Sequence, residues 1–457
     1  MLEKQIKNLQ ESFFDKQSTY NIKKRIDYLK KLKKILNEKS ENIFDALYKD
    51  LKKSDFEAFT SETMLVNKEL DIMIRNLKNW SKPKRIPSSL INFPSKDYLI
   101  PEPYGNVLMI SPWNYPFQLS LTPLIGAVAA GNTVVLKPSE SAPNTSKIIS
   151  EIIDTVFPEE WVKVIEGDAN TAKNLLKQKW DYIFYTGSTR VGKFVAKAAA
   201  ENLTPTTLEL GGKSPCIVES SASINKTAKR IVWGKFINCG QTCIAPDYIL
   251  VEKKIKKILI KKIIQEIELA FTKEIKNSKD YGRIIHQNHL EKLIKSLENQ
   301  KIIYGGINEI KDLYLSPTIV DEPNLDSELM QEEIFGPILP IISYESYDRI
   351  FKIIKNLEKP LAFYIFSKNK SFINLMLNKF SFGGGVVNDT LIQFANINLP
   401  FGGIGASGMG AYHGKHSFKL FSHFKPVVKR SFLFDLPQRF APYPKSIKFL
   451  KFLLNKL

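Results

Sequence analysis

The sequence predicts an α/β protein built on parallel sheets, and three observations lead there. From Gly105 onward, short apolar strands alternate with helical stretches of about ten residues, which is the pattern of βαβ units. A second series of the same kind begins near Thr207. At 457 residues the chain also exceeds one ordinary core, so two or three domains are expected.

Residues 1–80 read as charged amphipathic helices, with apolar residues at helical spacing over 22–36 and 43–51. Residues 81–101 change character, carrying Pro83, Pro87 and Pro94 and then a short extended run, which suits a connector or an exposed arm. Residues 106–111 read as a buried strand, 122–130 as a small-residue helix closed by Gly131, and 133–136 as a second strand. A helix over 145–156, a strand over 162–165, a helix over 169–178, a strand over 182–185 and a helix from about Arg190 complete the first series. The second series includes a strand over 215–218, a helix over 224–238, a strand over 248–251 and long helices through 297. It closes with a strand at 361–366, a helix at 372–379 and a strand at 385–387. The glycine-rich stretch 401–410 reads as an ordered loop, because aromatic and apolar residues punctuate it.

Composition narrows the function. Lys and Arg number 66 against 47 Asp and Glu, a net charge of +19 that could signal an anionic partner. The lysines are nevertheless dispersed through helical stretches such as 23–34 and 253–262 and mixed with apolar residues, so no nucleic-acid role is expected. Three cysteines, Cys216, Cys239 and Cys243, are too few for a disulfide scaffold and suit a reducing, cytoplasmic compartment. The N-terminus carries no apolar signal region, and no run of about twenty apolar residues is present to span a bilayer. The tail over 444–457 is basic and amphipathic. Ile447, Leu450, Leu454 and Leu457 share one helical face, and Lys448, Lys451 and Asn455 occupy another. It can pack on the protein body or make peripheral contact with an anionic membrane, and the first is expected.

Five loops carry candidate chemistry. Cys243 lies in Asn238-Cys239-Gly240-Gln241-Thr242-Cys243, between a helix that Gly240 can terminate and a strand near Tyr248. Taken alone it reads more readily as a small buried hydrophobe than as a nucleophile. Cys239 and Cys243 have a spacing that could suggest a metal, yet no cluster elsewhere supplies the remaining ligands. His286, His289, His413 and His416 read as solvated surface residues, so no metal is expected. Glu209 sits in Leu208-Glu209-Leu210-Gly211-Gly212. So apolar a setting should raise its pKa and suits a general base, although a solvent-facing edge position fits equally. Gly187, Ser188 and Gly192 lie in Thr186-Gly187-Ser188-Thr189-Arg190-Val191-Gly192, where a strand ends and a helix opens. Amide groups there can hold a diphosphate, but the spacing is not a G-x-G-x-x-G fingerprint and a plain strand–turn–helix junction fits as well. Lys137 and Glu140 follow the second strand, where they can meet ribose hydroxyls. Asn114, in Ser111-Pro112-Trp113-Asn114-Tyr115-Pro116-Phe117, can donate to an oxyanion.

Together these motifs resemble the aldehyde dehydrogenase superfamily, and most closely its class 3 branch, which includes the fatty aldehyde dehydrogenases. The resemblance runs from about residue 20 to 425. It rests on PWNYPF, GNTVVLKPSE, YTGSTRVGK, LELGGKSP, NCGQTCIAPDY, QEEIFGPILP and LPFGGIGASGMGAYHGKHSF. It implies two Rossmann-like α/β domains plus a small bridging arm. Residues 1–80 with 102–207 would form the dinucleotide-binding domain and 208–388 the catalytic domain. Residues 81–101 with 389–425 would form the arm that pairs two subunits into a homodimer, and 426–457 the tail.

The resemblance also implies roles. Cys243 would attack the aldehyde carbonyl, with Asn114 and the Cys243 N–H holding the oxyanion. Hydride then passes to the nicotinamide, and Glu209 activates the water that hydrolyses the thioester. Glu333 and Phe335 would position the nicotinamide ribose and ring, Lys137 and Glu140 the adenosine ribose, and Gly187, Ser188 and Gly192 the diphosphate. Trp113 and Tyr115 would line the substrate pocket. A coenzyme A-acylating enzyme would not need a water-activating carboxylate, so Glu209 favours hydrolysis. A non-catalytic protein on the same scaffold would not need Cys243, Glu209 and Asn114 together. Glu140 should repel a 2′-phosphate, which predicts NAD as cofactor with NADP tolerated. Long-chain, medium-chain and aromatic aldehydes all remain open.

Overall fold

The computed structural model describes residues 21–89, 92, 94–433, 435, 439–443, 446–448 and 451–452. Contacts divide them into two compact units. The larger comprises the described residues up to Trp80 together with Pro103–Ser422.

Three helices lead into the larger unit: α1 (Ile22–Glu38), α2 (Ser40–Leu51) and α3 (Met64–Trp80). Asn21 starts α1 by accepting from the N–H groups of Lys23 and Lys24. Each helix buries one apolar stripe, for example Leu29, Leu32 and Leu36 on α1. Between α2 and α3 the chain makes a short helical turn, Asp55–Ala58, and then a single π-turn, Phe59–Thr63. Such turns often mark functional sites, because they displace side chains from the regular helical face.

The first sheet contains β1 (Asn106–Ile110), β2 (Thr133–Lys137), β3 (Val162–Val164), β4 (Tyr182–Thr186) and β5 (Thr206–Glu209). Its connecting helices are α4 (Gln118–Ala130), α5 (Pro143–Val156), α6 (Ala169–Leu176) and α7 (Thr189–Glu201). Helix α4 is apolar on nearly every side and wholly buried, and Gly131 ends it at a φ of 104°. The strand order is β3, β2, β1, β4, β5, all parallel, with the two-residue strand Gly408–Met409 antiparallel at the edge beside β5. The chain runs outward from β1 to β3 and then returns to β4 on the other side of β1. That reversal opens a crevice beyond the carboxyl ends of β1 and β4, where sheets of this kind bind ligands.

Residues 206–209 were expected near the start of the second series, but they pair with β4 and complete the first sheet. The second sheet starts at β6 (Pro215–Val218) and continues with β7 (Tyr248–Glu252), β8 (Ile302–Tyr304), β9 (Thr318–Asp321), β10 (Ile338–Tyr344), β11 (Ala362–Phe366) and β12 (Gly384–Val387). Its order is β8, β9, β10, β7, β6, β11, β12. Helix α8 (Ile224–Phe236) ends two residues before the expected 238, because Ile237 turns extended and Asn238 and Cys239 adopt left-handed φ values of 51° and 53°.

The smaller unit comprises described residues of Ser81–Glu102 and His423–Leu457. Its three-stranded sheet sets Ser95–Pro103 between Lys84–Ile86 and Ser422–Arg430. Lys425 pairs with Glu102, and Lys429 lies over the Tyr98 ring. The arm expected from 81–101 and 389–425 is therefore drawn differently. The partner strand begins at Ser422, and 389–421 belong to the larger unit. There the Thr390 hydroxyl donates to the Arg230 carbonyl at 2.8 Å, and Leu391, Phe401 and Tyr412 are buried. In the expected tail helix, Leu450, Leu454, Asn455 and Leu457 lie outside the described residues, while Ile447, Lys448 and Lys451 are exposed. Among the described residues no helix is long and apolar enough to cross a membrane.

Candidate active site

The loop after α8 is held from every side. Asn238, Cys239 and Gly240 take φ values of 51°, 53° and 73° in succession, a conformation that L side chains adopt only when surroundings enforce it. The Asn238 N–H donates to Glu57 Oε1 at 3.0 Å, and its side-chain amide donates to the Asn114 carbonyl at 2.8 Å. The Gln241 amide donates to the Asn238 and Arg283 carbonyls, and its oxygen accepts from the Ile285 N–H. Asn114 Nδ2 donates to the Gln241 carbonyl at 3.0 Å, two residues before Cys243. The structure thus joins Asn114 to the cysteine loop, as the resemblance implies. Beside it, the Tyr115 and Thr242 hydroxyls are hydrogen-bonded to each other at 2.7 Å.

A buried ion pair underpins that junction, and the sequence reading missed it. Lys53 and Glu62 are both fully buried, with Nζ 2.5 Å from Oε1. Lys53 also donates to the Asn114 carbonyl at 3.0 Å and sits 4.0 Å over the Tyr115 ring. Glu62 Oε2 accepts from the N–H groups of Phe117 and Gln118, where α4 begins and a carboxylate is favoured. Leaving either charge alone in this interior would cost roughly 3–5 kcal/mol.

Glu209 ends β5 and is 2% exposed, and neither carboxylate oxygen has a hydrogen-bond partner among the described residues. Burial holds its pKa well above the usual carboxylate range, in the direction the sequence suggested. The Cys243 thiol is free, and burial first, then the Glu333 and Glu209 charges, push its pKa up, while the N–H groups of Cys243 and Ile244 oppose the rise. Both carboxylates therefore lie close enough for their fields to reach the sulfur.

Glu333 lies over Gly211, where a Cβ would come 1.9 Å from its Oε2. Burial and Asp247 raise its carboxyl to about 8, against hydrogen bonding from the Gly212 N–H and the charges of Lys213 and Lys235. The segment carrying Glu333 and Phe335 is fixed by a second buried pair. Lys213 meets Asp247 at 2.5 Å and donates to the Leu329 and Glu332 carbonyls, while Asp247 accepts from the Ile334 N–H. Phe335 takes a left-handed φ of 53° and packs edge-on to Trp113 at 5.3 Å.

The remaining predicted residues lie at and after the carboxyl ends of β2 and β4. Lys137, buried at the end of β2, pairs with the half-exposed Glu140. Ser188 opens α7, its hydroxyl accepting from the Val191 N–H. Gly187 allows the turn to pass Tyr185, whose Oη would lie 2.3 Å from an added Cβ. Gly192 is different. It is buried, and its added Cβ would meet Leu210 Cδ2 at 2.6 Å, so its observed contact is the packing of α7 on the sheet. The buried Thr186 hydroxyl at the end of β4 has no hydrogen-bond partner among the described residues, the kind of orphan that a bound ligand can satisfy.

A cavity of about 260 Å³ reaches the other side of Cys243. Its lining is apolar and comes from distant stretches: Met64 and Leu65, Leu119, Ile237 and Ile244, Leu391 and Phe394. Tyr115 lines it as expected, whereas Trp113 is not among its lining residues and packs instead with Phe335. Two of the histidines are also placed differently from expectation. His413 is 3% exposed, stacked on Phe401, and burial lowers its pKa to about 3. His289 meets the Phe335 carbonyl at 2.8 Å and is lowered to about 4 by burial. Their immediate neighbours in sequence concealed both, because Trp113 and Phe335 pack on His289, and Phe394 and Phe401 on His413.

Comparison with known proteins agrees with this geometry. A model of the aldehyde dehydrogenase family matches residues 2–427. The 4,4'-diaponeurosporen-aldehyde dehydrogenase of Staphylococcus aureus is 45% identical over 442 residues, covering 96% of this chain and 96% of that one. Aldehyde dehydrogenase family 3 member A2 of Pongo abelii is 42% identical over 430 residues, covering 94% of this chain and 88% of its own. A solved structure of Staphylococcus aureus AldH in a substrate-bound state superposes with a TM-score of 0.97 at 43% identity, over 99% of both chains.

Proposed function

The chain belongs to the aldehyde dehydrogenase family, whose reaction is the NAD(P)-dependent oxidation of aldehydes, and from that premise we propose how its own residues divide the work. The observation that carries the proposal is a buried carboxylate, Glu209, without a hydrogen-bond partner among the described residues, whose charge reaches a free thiol in a loop that the Asn114 amide holds.

Cys243 is the nucleophile. Adding its sulfur to the carbonyl carbon turns an electron-poor centre into a tetrahedral alkoxide that can release hydride. The Asn114 amide uses one N–H on the Gln241 carbonyl and keeps the other for the alkoxide, alongside the Cys243 N–H. Bound NAD or NADP supplies the hydride acceptor. Glu209 then takes a proton from the water that attacks the thioester, releasing the acid and the thiol. Its lack of partners and its raised pKa suit a base near neutral pH.

The residues around the switch point fit such a cofactor. Lys137 and Glu140 would meet the adenosine ribose, Gly187 and Ser188 the diphosphate, and Glu333 and Phe335 the nicotinamide ribose and ring. Gly192 supports that site through helix packing. The first sheet with its leading helices is the dinucleotide domain, and the second sheet is the catalytic domain. Glu140 favours NAD over NADP. The apolar cavity is the aldehyde's path, which favours long or medium aliphatic chains. The enzyme is cytoplasmic and homodimeric, with the smaller unit as the pairing arm. Light scattering should give a mass near twice 52.2 kDa.

Glu209→Gln tests the mechanism. It should release one equivalent of reduced cofactor in a burst and then stall as acyl-enzyme, with steady-state turnover down roughly 10²–10⁴-fold. Undiminished turnover would remove Glu209 from the base role. Strict dependence on coenzyme A would replace the hydrolytic reading with the acylating one.

A further inference from the structure

One face of α8 carries Lys226, Lys229, Arg230 and Trp233 at positions i, i+3, i+4 and i+7, so the four share a stripe. They line a second, open cavity with Asp389 and Ile392. Trp233 and Ile392 also line the apolar cavity that reaches Cys243, so the two spaces adjoin at those side chains. The stripe is firmly seated. Arg230 is tied to the facing segment, its Nε 3.4 Å from Asp389 and its Nη1 donating to the Asn388 carbonyl. Gly234 lets that segment lie close, since an added Cβ would meet the Thr390 hydroxyl at 2.2 Å. One carboxylate thus serves one of three cations. Lys226 and Lys229 are exposed, and among the described residues neither has an ion-pair partner.

We propose that Lys226 and Lys229 form an anion subsite at the cavity mouth, which holds a carboxylate carried on the far end of an aliphatic aldehyde. The inference rests on the reading of the apolar cavity as the aldehyde's path. A chain with its carbonyl at Cys243 runs outward between Leu391, Phe394 and Met64 and emerges beside Trp233 and Ile392. A purely apolar chain leaves its end in water there. A chain ending in a carboxylate meets two unneutralised ammonium groups and an indole face. The preferred substrates are then ω-oxo carboxylic acids long enough to span the cavity. Shorter ones lose the contact, because a charge held inside the cavity would be desolvated without a partner.

The test uses purified full-length enzyme with NAD, saturated ω-oxo acids and n-alkanals of matching chain length. The readout is the ratio of kcat/KM for acid over alkanal at low ionic strength. In the parent enzyme the ratio should rise with chain length to a maximum. In Lys226→Glu/Lys229→Glu it should fall about fivefold to tenfold, carried by KM, and added salt should shrink the difference. Lys257→Glu/Lys261→Glu, on a separate helix, changes net charge equally and should leave the ratio in place. A ratio that is flat in the parent, or that falls equally in both variants, overturns the subsite. So does a parent that floats with phosphatidylglycerol vesicles and loses this only in the Lys226/Lys229 variant while its ratio holds, for the cations then face a lipid surface. If n-alkanals themselves show no gain with chain length, the reading of the cavity fails, not the subsite alone.

Discussion

The two approaches to Cys243 are made of opposite materials. On the side proposed for the cofactor, glycines lie tight against their neighbours. An added Cβ at Gly211 would sit 1.9 Å from Glu333 Oε2, and one at Gly240 would sit 2.4 Å from the Gly336 carbonyl oxygen. On the aldehyde side the walls are apolar side chains from α3, α4, the segment after α8 and residues 391–395. Glycines packed so closely define a site that a single methyl group disrupts. Side-chain walls define a volume that each substitution reshapes without breaking. Under the proposed assignment, one side sets what chemistry is possible and the other which aldehyde is admitted.

The sharpest way to break this comparison is Gly211→Ala. The methyl group must displace Glu333, and a shift of about an ångström at a reacting centre is worth roughly 10²-fold in kcat/KM. Circular dichroism should show the fold retained. If kcat/KM stays within a factor of about two on a methyl-sized intrusion, the cofactor side is as plastic as the other. Leu391→Ala tests the aldehyde side and should do less. KM for long aldehydes should rise roughly 10-fold with kcat held, because only apolar contact is lost. An equal fall for short and long chains would show that Leu391 serves the chemistry rather than the chain. The smallest effect is expected from Glu140→Gln, which frees Lys137 and removes the charge facing a 2′-phosphate. The ratio of NADP to NAD efficiency should rise about threefold, the scale of a half-exposed charge pair. A fall would place the adenosine ribose elsewhere.

That asymmetry also decides what the sequence disclosed. The turns on the side assigned to the cofactor were legible as turns because glycines and short polar runs are local signals, while their cofactor roles came only through resemblance. Gly187, Ser188 and Gly211 announce turns within a few residues of the strands they follow. The assignment of Asn114 to the cysteine loop came only through resemblance, since 127 positions separate it from Gln241. The aldehyde side was not legible. Met64, Leu119 and Leu391 each read as one apolar residue on an amphipathic or irregular stretch, and nothing local says that they face one cavity. Lys53 and Glu62 carry no local sign of burial, since most such residues are solvated. Strands β9 and β10 escaped notice because Pro317, Gly336, Pro337 and Pro340 read as breakers, yet parallel pairing holds Pro340 opposite Val320. Residues 206–209 were attached to the wrong sheet, since a strand does not reveal its neighbour.

The buried pair of Lys53 and Glu62 has a consequence for assembly. Glu62 secures residues 55 positions onward and Glu57 secures Asn238 181 positions onward, so the amide and the thiol meet only after the first described helices have docked. Contacts of such long sequence separation form late in folding, after closure of the loops between them. A partly folded chain then holds its cysteine as an ordinary, poorly placed thiol. The strained turn at Asn238 and Cys239, with nothing to brace it, relaxes. Reactivity is in this way withheld from the newborn protein until the segment bearing Glu57 and Glu62 has found Phe117 and Asn238.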